Sequence, residues 1–216
     1  MTERKRVLVI NPNSNETVTD GLRRSLEMFA DDADVDCCTL PDGPFGIESD
    51  EDIEAVKPLI IDRIERSPEY DAYVIACYSD PALEECRERF DKPVFGMQQS
   101  AVETAAGGRR HFGVVALSDV SIRRHLERIA ALGFSEQLAG ELPLDITVDE
   151  AANDPQTLQK VITQGRSLIE EHGAESVVLG CAGMAAHREP AENALGVPII
   201  EPAQAAVKLA IDSEDQ

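Results

Sequence analysis

The chain has 216 residues, 43% of them hydrophobic, and a net charge of −21 from 41 acidic against 20 basic residues. That length suffices for one large core or two α/β lobes of about 100 residues each, whereas no apolar run approaches the roughly 20 residues of a membrane span, and so negative a field repels nucleic acid and anionic membrane surfaces. Five cysteines, an odd number without zinc-site spacing, read as reduced thiols in a cytoplasmic protein rather than as a disulfide framework.

Met1-Thr2-Glu3-Arg4-Lys5-Arg6 leads directly into the apolar run Val7-Leu8-Val9-Ile10, which predicts neither secretion nor membrane insertion. That run reads as a buried parallel strand emptying into Asn11-Pro12-Asn13-Ser14. Amphipathic spacing then predicts a helix over 18–30, a strand over 35–40 that carries Cys37-Cys38, and a helix over 53–66. Tyr73-Val74-Ile75-Ala76-Cys77 is a second apolar strand, followed by Ser79 and by Asp80-Pro81, a pair suited to opening a helix with Asp as its cap. Lys92-Pro93-Val94-Phe95 follows, and a connector near 98–110 contains Gly107-Gly108-Arg109-Arg110, which matches neither a Walker loop nor a dinucleotide fingerprint. Beyond it come a strand at Phe112-Gly113-Val114-Val115-Ala116, helices over 121–132 and 155–172, a strand at Ser176-Val177-Val178-Leu179-Gly180-Cys181, the run Val197-Pro198-Ile199-Ile200, and a last helix over 203–211.

The two halves superpose in sequence. Their opening strands lie about 105 residues apart, Cys77 and Cys181 lie 104 apart, and Pro93 and Pro198 lie 105 apart. Three landmarks at one offset imply a duplication. Strands alternating with helices imply parallel sheets with right-handed crossovers. The expected fold is therefore α/β: two similar parallel-sheet βα lobes related by pseudo-twofold symmetry, with a site between them. Lobe 1 is expected over 1–97 and lobe 2 over 98–202, with the C-terminal helix, 203–216, packing back on lobe 1.

Ligands of open parallel sheets bind beyond the carboxyl ends of the strands, where both cysteines fall. A thiol at a helix N-terminus is expected to ionise more readily than a free one. Facing lobes would set Cys77 and Cys181 on opposite sides of one carbon, as a two-base racemase requires: one sulfur removes a proton and the other returns one to the opposite face. The resulting enolate needs donors, for which Asn11, Asn13, Ser14, Ser79, Ala182 and Gly183 are candidates, and Asp80 is placed to orient Cys77. His111, His125, His172 and His187 have no metal spacing and read as core or surface residues, and Cys37, Cys38 and Cys86 read as buried or incidental thiols. Neither a metal nor an organic cofactor is expected. Dispersed carboxylates with five lysines against fifteen arginines suit a salt-adapted surface.

Ile10-Asn11-Pro12-Asn13-Ser14, Ala76-Cys77-Tyr78-Ser79-Asp80-Pro81 and Val178-Leu179-Gly180-Cys181-Ala182-Gly183-Met184 together resemble motifs of the Asp/Glu/hydantoin racemase superfamily, most closely its hydantoin and allantoin racemase branch. The resemblance implies a two-lobe fold, cofactor-independent racemisation by a pair matching Cys77 and Cys181, substrate contact at Asn13, and homo-oligomers. The chain departs from that branch at Ala116-Leu117, where a Thr-Thr pair is usual, and at Gln99, where an acidic residue is common. The leading expectation is a racemase of a 5-substituted hydantoin or allantoin. The alternatives are an aspartate or glutamate racemase, for which no motif supplies a carboxylate-binding arginine, and a non-catalytic binder of a small metabolite.

Overall fold

The computed structural model describes residues 4–213, so the expectations for 1–3 and for 214–216 of the last helix lie outside it. In chain order the elements are β1 (Arg6–Asn11), α1 (Glu16–Leu26), β2 (Asp34–Thr39), α2 (Asp50–Glu65), β3 (Ala72–Ile75), α3 (Leu83–Arg89), β4 (Val94–Gly96) and α4 (Met97–Ala105). They continue as β5 (Phe112–Ala116), α5 (Asp119–Ala131), β6 (Leu138–Pro143), α6 (Val148–Asn153), α7 (Thr157–Glu170), β7 (Ser176–Leu179), α8 (Arg188–Leu195), β8 (Ile199–Ile200) and α9 (Pro202–Asp212).

Each half builds a four-stranded parallel sheet, ordered β2-β1-β3-β4 in one and β6-β5-β7-β8 in the other. The central strands are mostly apolar because both their faces are covered; β3, β5 and β7 are buried at every position. Registers correspond as well. Ile10 stands opposite Ile75 in the first sheet and Val115 opposite Leu179 in the second, so Cys77 and Cys181 each leave the sheet two residues past an equivalent rung.

The largest apolar cluster draws on both halves, combining Val9, Val74 and Met97 with Val115, Val177 and Leu179. Each fully buried large side chain in it contributes about 1.5–3 kcal/mol. Helix α9 supplies Ala203, Ala206, Val207 and Ala210 to the same cluster and lies against α4, β3 and β4. Its start is held by Glu201, whose carboxylate accepts from the amides of Ala203 and Gln204 and from the Ser25 hydroxyl.

Several elements differ from the sequence expectation. The connector near 98–110 is mostly helix α4, with Met97, Ala101 and Val102 fully buried. The helix expected over 18–30 ends as α1 at Leu26, and Glu27–Phe29 tightens into a 3-10 turn. Strand β6 had no apolar signature, and the short α6 precedes the helix expected from residue 155.

Candidate functional site

Cys77 and Cys181 line one cavity at the carboxyl ends of β3 and β7, together with Asn13, Ser79, Leu117 and Ala182. Gly180 is what lets β7 finish there: a Cβ at this position would lie 2.6 Å from the Val115 carbonyl oxygen of the neighbouring strand. The chain then enters a 3-10 segment, Ala182–His187. The amide of Gly183 donates to Cys181 Sγ at 3.3 Å, so it is committed to the sulfur and is not a free donor for a ligand oxygen.

Both thiols are harder to ionise than the sequence suggested. Burial pushes Cys77 up to about 11, against the opposing pull of the Ser79 amide and of the Arg124 charge. Burial pushes Cys181 up to about 12, and its neighbours Cys77 and Glu48 add to the rise. The expected helix dipole is missing in both places: α3 starts only at Leu83, and Cys181 opens a 3-10 segment rather than an α-helix. One or two amides do not offset the desolvation of a thiolate. The pair also senses itself electrostatically, so ionising one sulfur opposes ionising the other.

The Asn-rich turn after β1 is tied together from within. Asn11, fully buried, donates through Nδ2 to Asn13 Oδ1 at 2.9 Å and to Thr19 Oγ1 at 3.0 Å. Asn13 Oδ1 also accepts the Asn15 amide at 2.9 Å, which leaves the Asn13 amine as the end that can donate into the cavity. Ser14 donates its amide to the Pro44 carbonyl. Neither Asn11 nor Ser14 is part of the cavity wall.

Asp80 does not cap the helix that follows it. Its carboxylate reaches across to α4, accepting from the amides of Gln98 at 2.9 Å and Gln99 at 3.0 Å, while α3, with Ala82 at its N-cap position, has no side-chain cap. Gly96 makes room, since a Cβ there would lie 2.4 Å from the carboxyl carbon of Asp80. Asp80 (φ 46°) and Ala82 (φ 58°) are both left-handed, at about 1–2 kcal/mol each for residues with a Cβ. The turn after Cys77 is thus held in a strained shape by the bonds to α4. Burial raises Asp80 to about 6.

The second half contributes side chains that no motif marked. Ser121, Arg124 and His125 of α5, spaced i, i+3 and i+4, share one helix face and line the cavity. His125 Nδ1 lies 2.5 Å from Glu141 Oε1 of β6, with the two side chains 2% and 1% exposed. The Tyr78 ring packs edge-on against His125 at 4.7 Å. Ile47 and Val148 supply apolar wall from opposite halves. Among the described residues, no three His, Cys, Asp or Glu side chains gather to hold a metal ion, and no helix is long and apolar enough to cross a membrane.

Two matched parallel-sheet lobes put a thiol from each into one cavity. Comparison with known proteins gives the class of protein this is. The chain matches the Asp/Glu/Hydantoin racemase family over residues 7–210. It is 33% identical over 211 residues to a hydantoin racemase of Paenarthrobacter aurescens, covering 95% of this chain and 89% of that one. An allantoin racemase structure from Klebsiella pneumoniae superposes with a TM-score of 0.89 at 26% identity, covering 95% and 86% of the two chains. The glutamate racemase of Francisella tularensis shares the fold, with a TM-score of 0.68 at 17% identity over 95% of this chain and 79% of that one. The chain belongs to the Asp/Glu/hydantoin racemase family, and it is an isomerase of the racemase type.

Proposed function

We propose that this protein racemises a 5-substituted hydantoin or an allantoin-like ring, with Cys77 and Cys181 as its acid/base pair and no cofactor. The carrying observation is that both thiols line one cavity from equivalent strands of the two sheets. The ring carbon of a hydantoin is flanked by a carbonyl and an acylated nitrogen, which makes its proton easier to remove than that of a free amino acid. One sulfur, as thiolate, takes that proton and becomes a thiol, and the C–H electron pair moves onto the carbonyl oxygen as an enolate. The other sulfur, as thiol, gives its proton to the opposite face and is left as the thiolate. One negative charge thus passes between two sulfurs, in keeping with the mutual opposition of their ionisations.

The enolate oxygen needs preorganised donors, each worth about 2.7–4 kcal/mol in such a site. Asn13 is the wall residue suited to that role, because the Ser79 donors, like the Gly183 amide, are directed at a sulfur. The same proposal includes homo-oligomeric assembly, as the family resemblance implies, and a surface adapted to salt, for which the net charge of −21 argues.

Polarimetry tests the reading directly. Optically pure 5-substituted hydantoins and allantoin lose rotation with the protein present faster than in an enzyme-free control, whereas aspartate and glutamate keep theirs. Loss of rotation with the free amino acids alone would replace the hydantoin assignment by the amino-acid one.

A further inference from the structure

Arg124 stands where the cysteine cavity meets a groove on the protein surface. It lines both, as does Ser79, and the groove is formed also by Asp50, Arg123 and Arg128. Arg123, Arg124 and Arg128 all belong to α5. In a chain with 41 acidic and 20 basic residues, three guanidinium groups gather at one mouth, where they offset the carboxylates around them. Carboxylates are present too: Glu54 and Glu127 line the groove, and Glu84 engages Arg128 at 2.8 Å.

Arg124 differs from its neighbours. Its side chain is 14% exposed against 65% for Arg123; its Nε, like that of Arg128, is buried with no hydrogen-bond partner, but of the three only Arg124 lines the cysteine cavity. Its ion pair is with Asp50 at 3.3 Å, a carboxylate 59% exposed and shared with Arg123. With its carboxylate exposed to water and shared between two arginines, this pair holds Arg124 weakly, while an unmade bond at a buried donor is expensive. Arg124 thus keeps hydrogen-bonding capacity that Asp50 does not use, on a side chain that borders the cavity.

We propose that the substrate carries a negative charge, and that Arg124 receives it: the ring is a hydantoin whose C5 substituent ends in a carboxylate. This inference rests on the functional reading above and narrows it. The apolar wall of Ile47, Leu117 and Val148 is left for the ring, with the charge at the mouth. Arg suits the task because its planar fork matches a carboxylate. No acid/base step is assigned to it.

The test compares 5-(carboxymethyl)hydantoin with its neutral isostere, 5-(carbamoylmethyl)hydantoin, by kcat/KM for racemisation. The wild-type protein favours the carboxylate by roughly tenfold or more, the scale of one hydrogen bond to a charged group. Arg124→Gln brings the ratio close to one, Arg124→Lys keeps part of it, and Asp50→Asn, which removes the competing carboxylate, raises it. The ratio is unaffected by a general loss of folded protein. A wild-type ratio near one, or an Arg124→Gln variant that slows both compounds alike, overturns the inference while leaving the hydantoin reading standing. Racemisation of neither compound brings down the functional reading and this inference with it.

Discussion

Glu48 Oε1 accepts the backbone N–H of Val148 at 2.9 Å, a bond between the two halves of the chain at the edge of the cavity that Val148 lines. A second cross-link runs beside it, from Asn15 Nδ2 to Asp149 Oδ1 at 3.0 Å. The Glu48 charge is also one of the groups that raise Cys181. Glu48→Gln keeps an acceptor oxygen and removes the charge, so it lowers the Cys181 thiol pKa. The pH profile of alkylation, in a background whose other four cysteines are serine, reads this directly. An unchanged midpoint would remove Glu48 from the electrostatics of the site. Glu48→Ala also loses the cross-link and costs about 1 kcal/mol in stability.

Asp80 gives a prediction with a definite sign. Burial raises its pKa from 3.8 to about 6 in the folded chain. Between those values the folded state binds more protons than the unfolded state, so its contribution to stability is fully present below 3.8 and falls as pH rises through about 6. Wild-type stability relative to Asp80→Asn therefore increases on acidification across that window, as read by chemical denaturation at matched pH values. A difference that is flat with pH contradicts the assignment.

The His125–Glu141 pair, at 2.5 Å and nearly inaccessible, is expected to behave as buried pairs do. Removing one partner leaves a buried hydrogen-bonding atom of the other unpaired, so Glu141→Leu destabilises by about 1–3 kcal/mol. Replacing both, as His125→Phe with Glu141→Leu, recovers most of that loss, because two apolar groups need no partner. Thermal melts of the two variants separate the cases. A double variant no more stable than the single one would mean that the pair is held for more than mutual satisfaction.

Salt dependence follows from the charge. With a net charge of −21, self-repulsion falls as the Debye length shrinks from about 10 Å at 0.1 M salt to about 3 Å at 1 M. The Tm therefore rises through that range, and a Tm indifferent to salt speaks against a salt-adapted surface.

The parts legible in the sequence are those where one local pattern carries the signal. The runs ending in Cys77 and Cys181 are continuous and apolar because β3 and β7 are covered on both faces, and duplication gives them one offset. Helix α4 escaped notice because its buried face includes Gln98 and Ser100, and because its N-terminus is satisfied by Asp80, eighteen residues earlier, rather than by a local cap. The placement of Arg124 and His125 at the cavity is not legible for a related reason: both lie on an ordinary amphipathic helix, and only the tertiary fold brings them beside the cysteines and sets Glu141 of a weakly apolar strand against His125. The direction of the thiol shifts is not legible in the sequence because burial, which raises both, leaves no trace in a motif.

The most direct test of the paired-thiol account measures exchange and racemisation together. In deuterium oxide, with an enzyme-free control, Cys77→Ser and Cys181→Ser are each expected to lose racemisation of the hydantoin. Each still exchanges the ring proton of one enantiomer, and the two variants act on opposite enantiomers. Racemisation persisting in either variant, or the same enantiomer exchanging in both, contradicts a sulfur on each face of the carbon.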